Sequence, residues 1–287
     1  MKHYIDILRQ HPHPWRFLCA RLLVATGLCR LFFIQLRAYQ LRFYPSNIST
    51  NLWIDNDCRE GEMDLFEDYI KPGDSVIDVG ANIGQTAIQS CLNARPNGDV
   101  LAFEAHPRTF RFLQGNLKLN GCSRVLAENL ALGDAEGILH FSDLSRDDMN
   151  EITSSGTLAV PVQRLDALVP TGTRIHLLKI DVEGFELPVL KGAGQLLRTT
   201  HCVFSEMCEA HVRRHHYTTA ELLDFLEQAG FRNYVLNGRR QLQRVLPGFQ
   251  SSELEQIVSL RDEGEFTRRT GWLVSAEPVA DRKTLDS

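Results

Sequence analysis

The residues of this sequence that could do chemistry are acidic side chains placed at the ends of apolar runs. The first group is Asp78-Val79-Gly80-Ala81-Asn82-Ile83-Gly84, between a strand-like run and a helical pattern. Glycine at such a junction lets a ligand approach the backbone closely. Asn82 and Gln85 break the dinucleotide pattern G-x-G-x-x-G, and no Lys-Ser/Thr pair follows the loop, which excludes a phosphate-binding P-loop. Asp78 would repel a pyrophosphate and attract an ammonium or sulfonium ion, so the loop predicts a cationic ligand.

Glu104 follows Gly84 by 20 residues and ends the next strand-like run, Asp99–Glu104. A carboxylate at that place can accept hydrogen bonds from both hydroxyls of a ribose. A glycine loop that carries its own acid, followed by a ribose-binding acid, predicts a pocket for S-adenosyl-L-methionine. The alternative is an ordinary turn with a solvated glutamate at a strand end.

The third group is Leu178-Lys179-Ile180-Asp181-Val182-Glu183-Gly184, at the exit of another apolar strand. Alternation directs Lys179, Asp181 and Glu183 to one side if the strand continues that far. The functional interpretation is acceptor binding and base catalysis, with Asp181 or Glu183 as the base. The alternative is a Lys-Asp ion pair that fixes the strand end.

Histidines provide weaker candidates for the base. His106 follows Glu104 by two residues and could equally cap a helix that begins at Pro107, and His211 is the other candidate. His211 and His215 have a spacing that metal ligands use on a helix. The cationic neighbours of this pair disfavour a divalent ion, so no metal site is predicted.

The elements that must position these groups alternate between strands and helices, which is typical of an α/β protein with a parallel sheet. Helices are predicted at Ile83–Asn93, from Pro107 to Asn120-Gly121, at Leu187–Leu197 and at Thr219–Ala229, the last with a capping box from Thr218 to Glu221. The predicted strands are Ser75–Gly80, Asp99–Glu104, Ser123–Leu130, Ile175–Asp181, His201–Glu206, Phe231–Leu236 and Gly271–Val274.

Several segments together resemble the FkbM family of S-adenosylmethionine-dependent methyltransferases. They are DVGANIG, AFEAHPRTFRFLQGNLKLNG, LLKIDVEGFELPVLKGA and VFSEM, and the similarity runs from about Asn51 to about Val274. The resemblance implies a Rossmann-like class I methyltransferase fold: a mostly parallel seven-stranded sheet with an antiparallel last strand and helices on both faces. It also implies O-methylation, often of sugar or polyketide hydroxyls. Pro188 and the stretch 238–270 depart from the family pattern.

The resemblance also implies roles for individual residues. Asp78, Gly80, Asn82 and Gly84, with Ala81 between them, would hold the methionine end of the cofactor. Glu104 would bind the ribose, and Asn129 would lie near the adenine. The polar segment 143–155, which contains Ser154-Ser155, is interpreted either as part of the acceptor wall or as a surface loop.

Composition limits the classes of partner. The 287 residues include 31 basic and 36 acidic side chains, so the net charge is -5 and no nucleic-acid partner is predicted. Seven cysteines without a C-x-x-C pair favour a reducing compartment, and neither an export signal nor a transmembrane segment is recognised. The predicted location is therefore cytoplasmic.

Residues 1–50 differ from the rest, because they carry a net charge of +6 and leave -11 for the remainder. They are interpreted as a basic amphipathic helical segment, in which Arg16, Arg30 and Arg37 share a narrow arc. The segment either packs on the domain or on a second subunit, or it contacts the inner membrane face through residues 1–45. The methyltransferase domain is assigned to 51–278 and a C-terminal tail to 279–287.

The predicted function is S-adenosylmethionine-dependent O-methylation of a hydroxyl on a sugar, a glycoconjugate or another small molecule. One alternative is an NAD(P)-dependent oxidoreductase, against which Asn82 and Gln85 argue. The other is a non-catalytic binding module with the same fold, against which the intact Asp78, Gly80, Gly84 and Glu104 argue. The oligomeric state is left open.

Overall fold

The computed structural model describes residues 12–141, 156–238, 240–250 and 253–279. Its strands, in chain order, are β1 Phe33–Gln35, β2 Gln40–Arg42, β3 Ser75–Val79, β4 Asp99–Phe103, β5 Val125–Glu128, β6 Ala131–Leu132, β7 Gly137–Phe141, β8 Leu158–Gln163, β9 Ile175–Ile180, β10 Thr200–Met207, β11 Arg232–Leu236, β12 Gln241–Arg244, β13 Glu255–Leu260 and β14 Leu273–Pro278.

The α-helices are α1 Pro14–Thr26, α2 Asn47–Ile54, α3 Glu60–Tyr69, α4 Gln85–Ala94, α5 Pro107–Leu119, α6 Leu165–Leu168, α7 Glu186–Lys191, α8 Glu209–Val212, α9 Thr219–Gln228 and α10 Glu263–Thr270. The sequence signals explain several ends. Pro107 opens α5, and Gly121, at a φ of 63°, follows its C-cap Asn120. Both hydrogen bonds of the capping box between Thr218 and Glu221 are formed at the start of α9.

One sheet of nine strands forms the centre of the protein, in the order β14-β12-β11-β13-β10-β9-β3-β4-β5. The five strands from β10 to β5 run parallel, and β13 is antiparallel to both of its neighbours. The seven strands from β11 to β5 are the Rossmann-like methyltransferase sheet that the resemblance predicts. Two additional strands, β12 and β14, extend one edge.

The sequence assignment missed the antiparallel strand β13. It lies in the stretch 238–270, to which no element was assigned, whereas the predicted strand Gly271–Val274 corresponds to the edge strand β14. The helix predicted over Leu187–Leu197 is also shorter than expected, because α7 ends at Lys191 and a 3-10 turn covers Leu196–Thr199. Pro188 lies in the first turn of α7, where proline is tolerated.

A second, three-stranded sheet has the order β6-β8-β7. The antiparallel strands β7 and β8 lie on either side of the polar segment 143–155, and Phe141↔Leu158 is their last register pair. The segment that joins them, with Ser154-Ser155, lies outside the described residues.

The N-terminal segment is helical only in part. Helix α1 ends at Thr26, and the segment then forms a hairpin from β1 and β2 before α2. The prediction that Arg16, Arg30 and Arg37 share one arc required a continuous helix through all three residues. Because the helix ends at Thr26, that prediction is wrong. Arg37 instead lies in the hairpin loop and forms ion pairs with Glu60 and Asp64 of α3.

The hydrophobic core lies on both faces of the large sheet. On one face, Leu41 and Phe43 from the hairpin are fully buried in the same cluster as Ile83 and Leu113. The N-terminal segment therefore contributes side chains to the core that carries the glycine loop.

Candidate functional site

The glycine loop connects β3 to α4. The backbone N–H groups of Gly80 and Ala81 both donate to the carbonyl of Phe103, at 2.9 Å each, which ties the loop to β4. Gly80 has a φ of 76°, and a Cβ atom there would overlap the carbonyl oxygen of Asp181. At Gly84, with a φ of 94°, a Cβ atom would lie 2.6 Å from Cδ1 of Leu113. Packing against a backbone carbonyl therefore requires glycine at position 80, and the left-handed backbone conformation favours glycine at both positions.

Glu104 lies directly after β4 and is 9% exposed. Its Oε2 accepts a hydrogen bond from the N–H of Asn82 at 2.9 Å, and its Oε1 accepts one from the N–H of His106 at 2.9 Å. Burial raises the pKa of the Glu104 carboxyl to about 7, although the two N–H donors oppose this shift. Each oxygen has a further lone pair for a ligand.

Lys179 is at the centre of a buried ionic cluster. Its Nζ lies 3.3 Å from Oδ1 of Asp78 and 3.3 Å from Oδ2 of Asp181, and it donates to the carbonyl of Gly80 at 2.9 Å. Asp78 and Lys179 are register partners in β3 and β9. Desolvation acts to lower the pKa of Lys179, but the charges of Asp181 and Asp78 outweigh it and raise that pKa. Burial raises the pKa of Asp78. The cation that Asp78 contacts is therefore Lys179.

Arg59 and Glu206, which the sequence reasoning missed, extend this cluster. The guanidinium of Arg59 forms a two-bond pair with the carboxylate of Glu62, at 2.7 and 2.8 Å, and lies 3.9 Å from Oδ2 of Asp181. Burial, together with the charges of Asp181 and Glu62, raises the pKa of Glu206 to about 8. Glu206 ends the VFSE run on β10, a position that could have identified it. Arg59 precedes the sheet and had no such signal.

Glu183 departs from the predicted alternation. Strand β9 ends at Ile180, and Glu183 has a φ of 54° in the turn that follows. Its carboxylate Oε2 lies 3.1 Å from Nδ1 of His211. The strand therefore brings Lys179 and Asp181 together but does not direct Glu183 to the same cluster.

A cavity of about 610 Å³ opens at the carboxyl ends of β3, β4, β9 and β10. Pockets for small ligands commonly have this volume and this place in an α/β sheet. Apolar side chains from β3, β4 and the second sheet form part of its wall. The polar and charged residues of the wall are Asn47, Asn51, Arg59, Asn82, Glu104, His106, Thr109, Asp181, Glu183, Glu206 and Gln256.

Some of the predicted cofactor residues line this cavity, and the others lie in the loop and strand behind its wall. Gly80, Asn82 and Glu104 line the cavity. Asp78 is fully buried against Lys179, while Ala81 and Gly84 shape the loop through the 2.8 Å hydrogen bond from the N–H of Gly84 to the carbonyl of Ala81.

Asn129 lies beside the cavity wall, at the end of β5. Its side-chain amide donates to the carbonyls of Glu104, at 2.8 Å, and Ala105, at 2.9 Å. The neighbouring residues Leu130 and Ala131 line the cavity. The structure thus shows Asn129 joining the ends of two strands, and its contact with adenine stays a prediction.

The histidines occupy separate surroundings. His106 is the N-cap of α5 and accepts a hydrogen bond from the N–H of Arg108 at 3.2 Å. His211 pairs with Glu183, and the ring of His215 packs edge-on against Phe185 at 5.2 Å. Within the residues that the structure describes, no cluster of three or more His, Cys, Asp or Glu side chains could hold a metal ion.

The strand order and the cavity define a Rossmann-like methyltransferase. The family model "Methyltransferase FkbM domain" matches residues 78–233. The chain belongs to this family, and its cofactor is S-adenosyl-L-methionine.

Hexuronic acid methyltransferase AglP of Haloferax volcanii is 29% identical over 190 residues, which cover 63% of this chain and 77% of AglP. Methyltransferase 1 of Beauveria bassiana is 33% identical over 188 residues, or 56% of this chain and 73% of that protein. The crystal structure of methyltransferase FkbM from Methylobacillus flagellatus has a TM-score of 0.43 at 14% identity, and the match covers 85% of this chain and 59% of that one.

The residues of the cavity fit this cofactor. Oδ1 of Asn82 is buried and has no hydrogen-bond partner among the described residues, so it can accept a bond from the ammonium group of the methionine part. Glu104 keeps lone pairs for the ribose hydroxyls. The apolar side chains of Val79, Phe103 and Leu130 can contact the adenine.

Proposed function

We propose that the protein transfers the methyl group of S-adenosylmethionine to a hydroxyl oxygen of a sugar, a glycoconjugate or a related small molecule. The observation that carries this proposal is the group of carboxyls Asp181, Glu183 and Glu206 in the same cavity as Glu104. Strands β9 and β4 lie on either side of β3, so the strand spacing places their backbones, and with them the chain positions of Asp181 and Glu104, about 10 Å apart. That spacing leaves room for a methyl donor at Glu104 and an acceptor at Asp181.

The acceptor class follows from the charge of the cavity and from one relative. The carboxyl groups of the wall can form hydrogen bonds with several hydroxyls of one acceptor, which favours a polyhydroxylated molecule. The name of AglP describes a methyltransferase that acts on hexuronic acid, which is also a polyhydroxylated sugar. A sugar is therefore the proposed acceptor.

When bound, S-adenosylmethionine would supply a methyl group that its positively charged sulfur makes electrophilic, and the sulfur would leave as the neutral thioether of S-adenosylhomocysteine. We assign Asp181 as the base that accepts the hydroxyl proton, because its carboxylate is 22% exposed in the cavity wall. Lys179 and Arg59 hold Asp181 in place from the protein side. Glu206 is protonated below a pH of about 8 and can donate a hydrogen bond to an oxygen of the acceptor. Gly80, Asn82, Glu104 and Asn129 serve the cofactor.

A direct test incubates the purified protein with S-adenosylmethionine and a panel of sugars, uronic acids and polyols. We expect one class of acceptor to gain 14 mass units while S-adenosylhomocysteine is released. Mild base then separates two products, since a methyl ester is hydrolysed and a methyl ether is not. A product that loses its methyl group in base, or methylation of amines alone, would contradict the proposal.

We further propose a cytoplasmic location. All seven cysteines are free thiols, which is typical of proteins in a reducing compartment. In the described residues, no helix has the length and apolar character needed to cross a bilayer. Fractionation of cells that express the chain should recover it away from the oxidising compartments, and recovery from a secreted fraction would contradict this location.

A further inference from the structure

Helix α1 exposes an apolar stripe. Trp15, Leu18 and Leu22 are 78%, 36% and 65% exposed, and they fall within about 60° of one another around the helix. The opposite face packs on the domain through Ala20, which is fully buried. This helix is therefore apolar both toward the core and toward the outside.

The exposed apolar surface continues along the chain after α1. Leu28, Leu31, Phe32 and Phe33 are 49%, 71%, 41% and 44% exposed. Seven of the thirteen large hydrophobic residues that are exposed in the described part of the chain thus lie between positions 15 and 33. Such a concentration marks an interaction surface, because single exposed apolar residues are normally scattered.

A basic cleft adjoins this apolar surface. Its volume is about 440 Å³, and its lining consists of Arg30, Arg42, Tyr44, Arg108, Arg111 and Phe112. We call it the arginine cleft. The guanidinium of Arg42 lies 4.9 Å from the ring centre of Phe33, which connects the cleft to the apolar surface. Four arginines and no carboxylate among the described lining residues favour a phosphate-bearing anion.

We propose that the exposed apolar surface of residues 15–33 and the arginine cleft together dock the protein on an anionic phospholipid bilayer. The tryptophan, leucine and phenylalanine side chains enter the interface, and the arginines bind headgroup phosphates. A second copy of the chain fits less well. A two-fold interface built on this surface would bring two arginine clefts close together, and like charges repel.

The test measures co-sedimentation of the full chain with vesicles of phosphatidylcholine alone and with vesicles that also contain phosphatidylglycerol. We expect binding only to the second kind, and release by salt, because the attraction is screened over about 8 Å at physiological ionic strength. The double variant Arg108→Gln, Arg111→Gln should lower the partition coefficient by about 30-fold. The double variant Trp15→Ser, Leu22→Ser should also lower it, with the salt dependence retained.

Two matched controls lie elsewhere on the surface. Leu273 is 70% exposed on β14, and Arg232 pairs with Glu263 away from the cleft. Leu273→Ser and Arg232→Gln should bind vesicles as the unchanged protein does. Blue-shifted fluorescence on vesicle binding, absent in Trp15→Phe, would report directly on entry of Trp15 into the interface.

Three outcomes would overturn the proposal. One is binding that is equally strong to neutral and to anionic vesicles, or a loss of vesicle binding in the two control variants as large as the loss in the double variants. A second is binding of free glycerol phosphate in the cleft without any vesicle binding, which would assign it to a small anion. The third is a change from dimer to monomer in the Trp15→Ser, Leu22→Ser protein without any vesicle binding, which would assign the apolar surface to a second copy of the chain.

Discussion

Glu104 is a carboxyl whose charge changes near neutral pH, and the cause lies in its immediate surroundings. Desolvation raises its pKa to about 7, while the N–H groups of His106 and Asn82 stabilise the anion. In the proposed role of Glu104, the ionised form accepts hydrogen bonds from two ribose hydroxyls, whereas the protonated form has lost acceptor capacity. Cofactor binding should therefore favour the ionised form.

We expect the affinity for S-adenosylmethionine to rise as the pH increases through about 7 and to level off above that value. Calorimetric titration between acidic and mildly alkaline pH measures this dependence. The Glu104→Gln protein is the control, because it keeps the shape of the side chain but has no ionisable group. Equal pH dependence in the two proteins would exclude Glu104 as the titrating group.

A substitution of Asp181 tests whether this residue is the catalytic base. Asp181→Asn keeps the shape and removes the charge, so turnover should fall by about 10² to 10⁴ while the cofactor affinity changes little. Its ion pair with Lys179 predicts only a modest loss of stability, since Lys179 keeps Asp78 as a partner. Turnover and melting temperature are measured on the same preparation. Unchanged turnover would remove Asp181 from catalysis, and Glu183→Gln would then test the other carboxylate.

At the level of elements, β3 and β9 are joined by a buried ion pair as well as by their ladder. Lys179→Met would leave Asp78 buried without its cation, and breaking a buried pair in this way costs about 3 to 5 kcal/mol. We expect the free energy of unfolding, measured in urea, to fall by that amount. Adding Asp78→Asn should restore part of the loss, because the unpaired charge is removed. A Lys179→Met protein of normal stability would contradict the role of this pair.

The loop between β3 and α4 also depends on the neighbouring strand β9. Gly80→Ala places a Cβ atom against the carbonyl of Asp181 and requires a φ of 76° from alanine. The backbone conformation alone costs about 1 to 2 kcal/mol. We expect reduced thermal stability even without cofactor, in addition to weaker cofactor binding. Gly73→Ala, at a φ of 90° with open space around it, separates the conformational cost from the overlap.

The sequence predicted the elements that carry strong local signals and missed those that depend on tertiary pairing. Apolar runs and capping residues predicted the positions of β3, β4, β9 and α9. Their charged character at the ends of strands identified Asp181 and Glu104 as candidate site residues. The short hairpin strands β1 and β2 have no such signal. The side-chain oxygens of Asn116 in α5 and of Asn120 at its C-cap accept hydrogen bonds from the N–H groups of Arg42 and Gln40 in β2, and these contacts arise only in the fold.

For the whole molecule, the basic N-terminal segment is divided between two environments. Arg37 is held by acidic side chains of α3, whereas Arg30 and Arg42 line the arginine cleft. Helix α5 connects the two cavities, because Arg108 lines the arginine cleft and Thr109 lines the cavity at the carboxyl ends of the strands. A net charge summed over residues 1–50 could not reveal this division.

The buried part of that segment leads to a prediction for the whole chain. Leu41 and Phe43 are fully buried, and the ring of Phe43 stacks on Trp53 at 5.0 Å. A chain that lacks residues 1–45 would expose the core surface that these side chains cover, and each large apolar side chain contributes about 1.5 to 3 kcal/mol when buried. We expect that chain to aggregate or to melt at a lower temperature, as light scattering and calorimetry would show.

A chain that lacks only residues 1–13 is the matched control for this deletion, because it keeps α1 and the hairpin. It should stay monodisperse and melt close to the full chain. A stable, monodisperse protein after removal of residues 1–45 would show that the hairpin is dispensable for the core. The comparison also separates folding from membrane docking, since the shorter deletion retains the apolar surface of residues 15–33 and should still bind anionic vesicles.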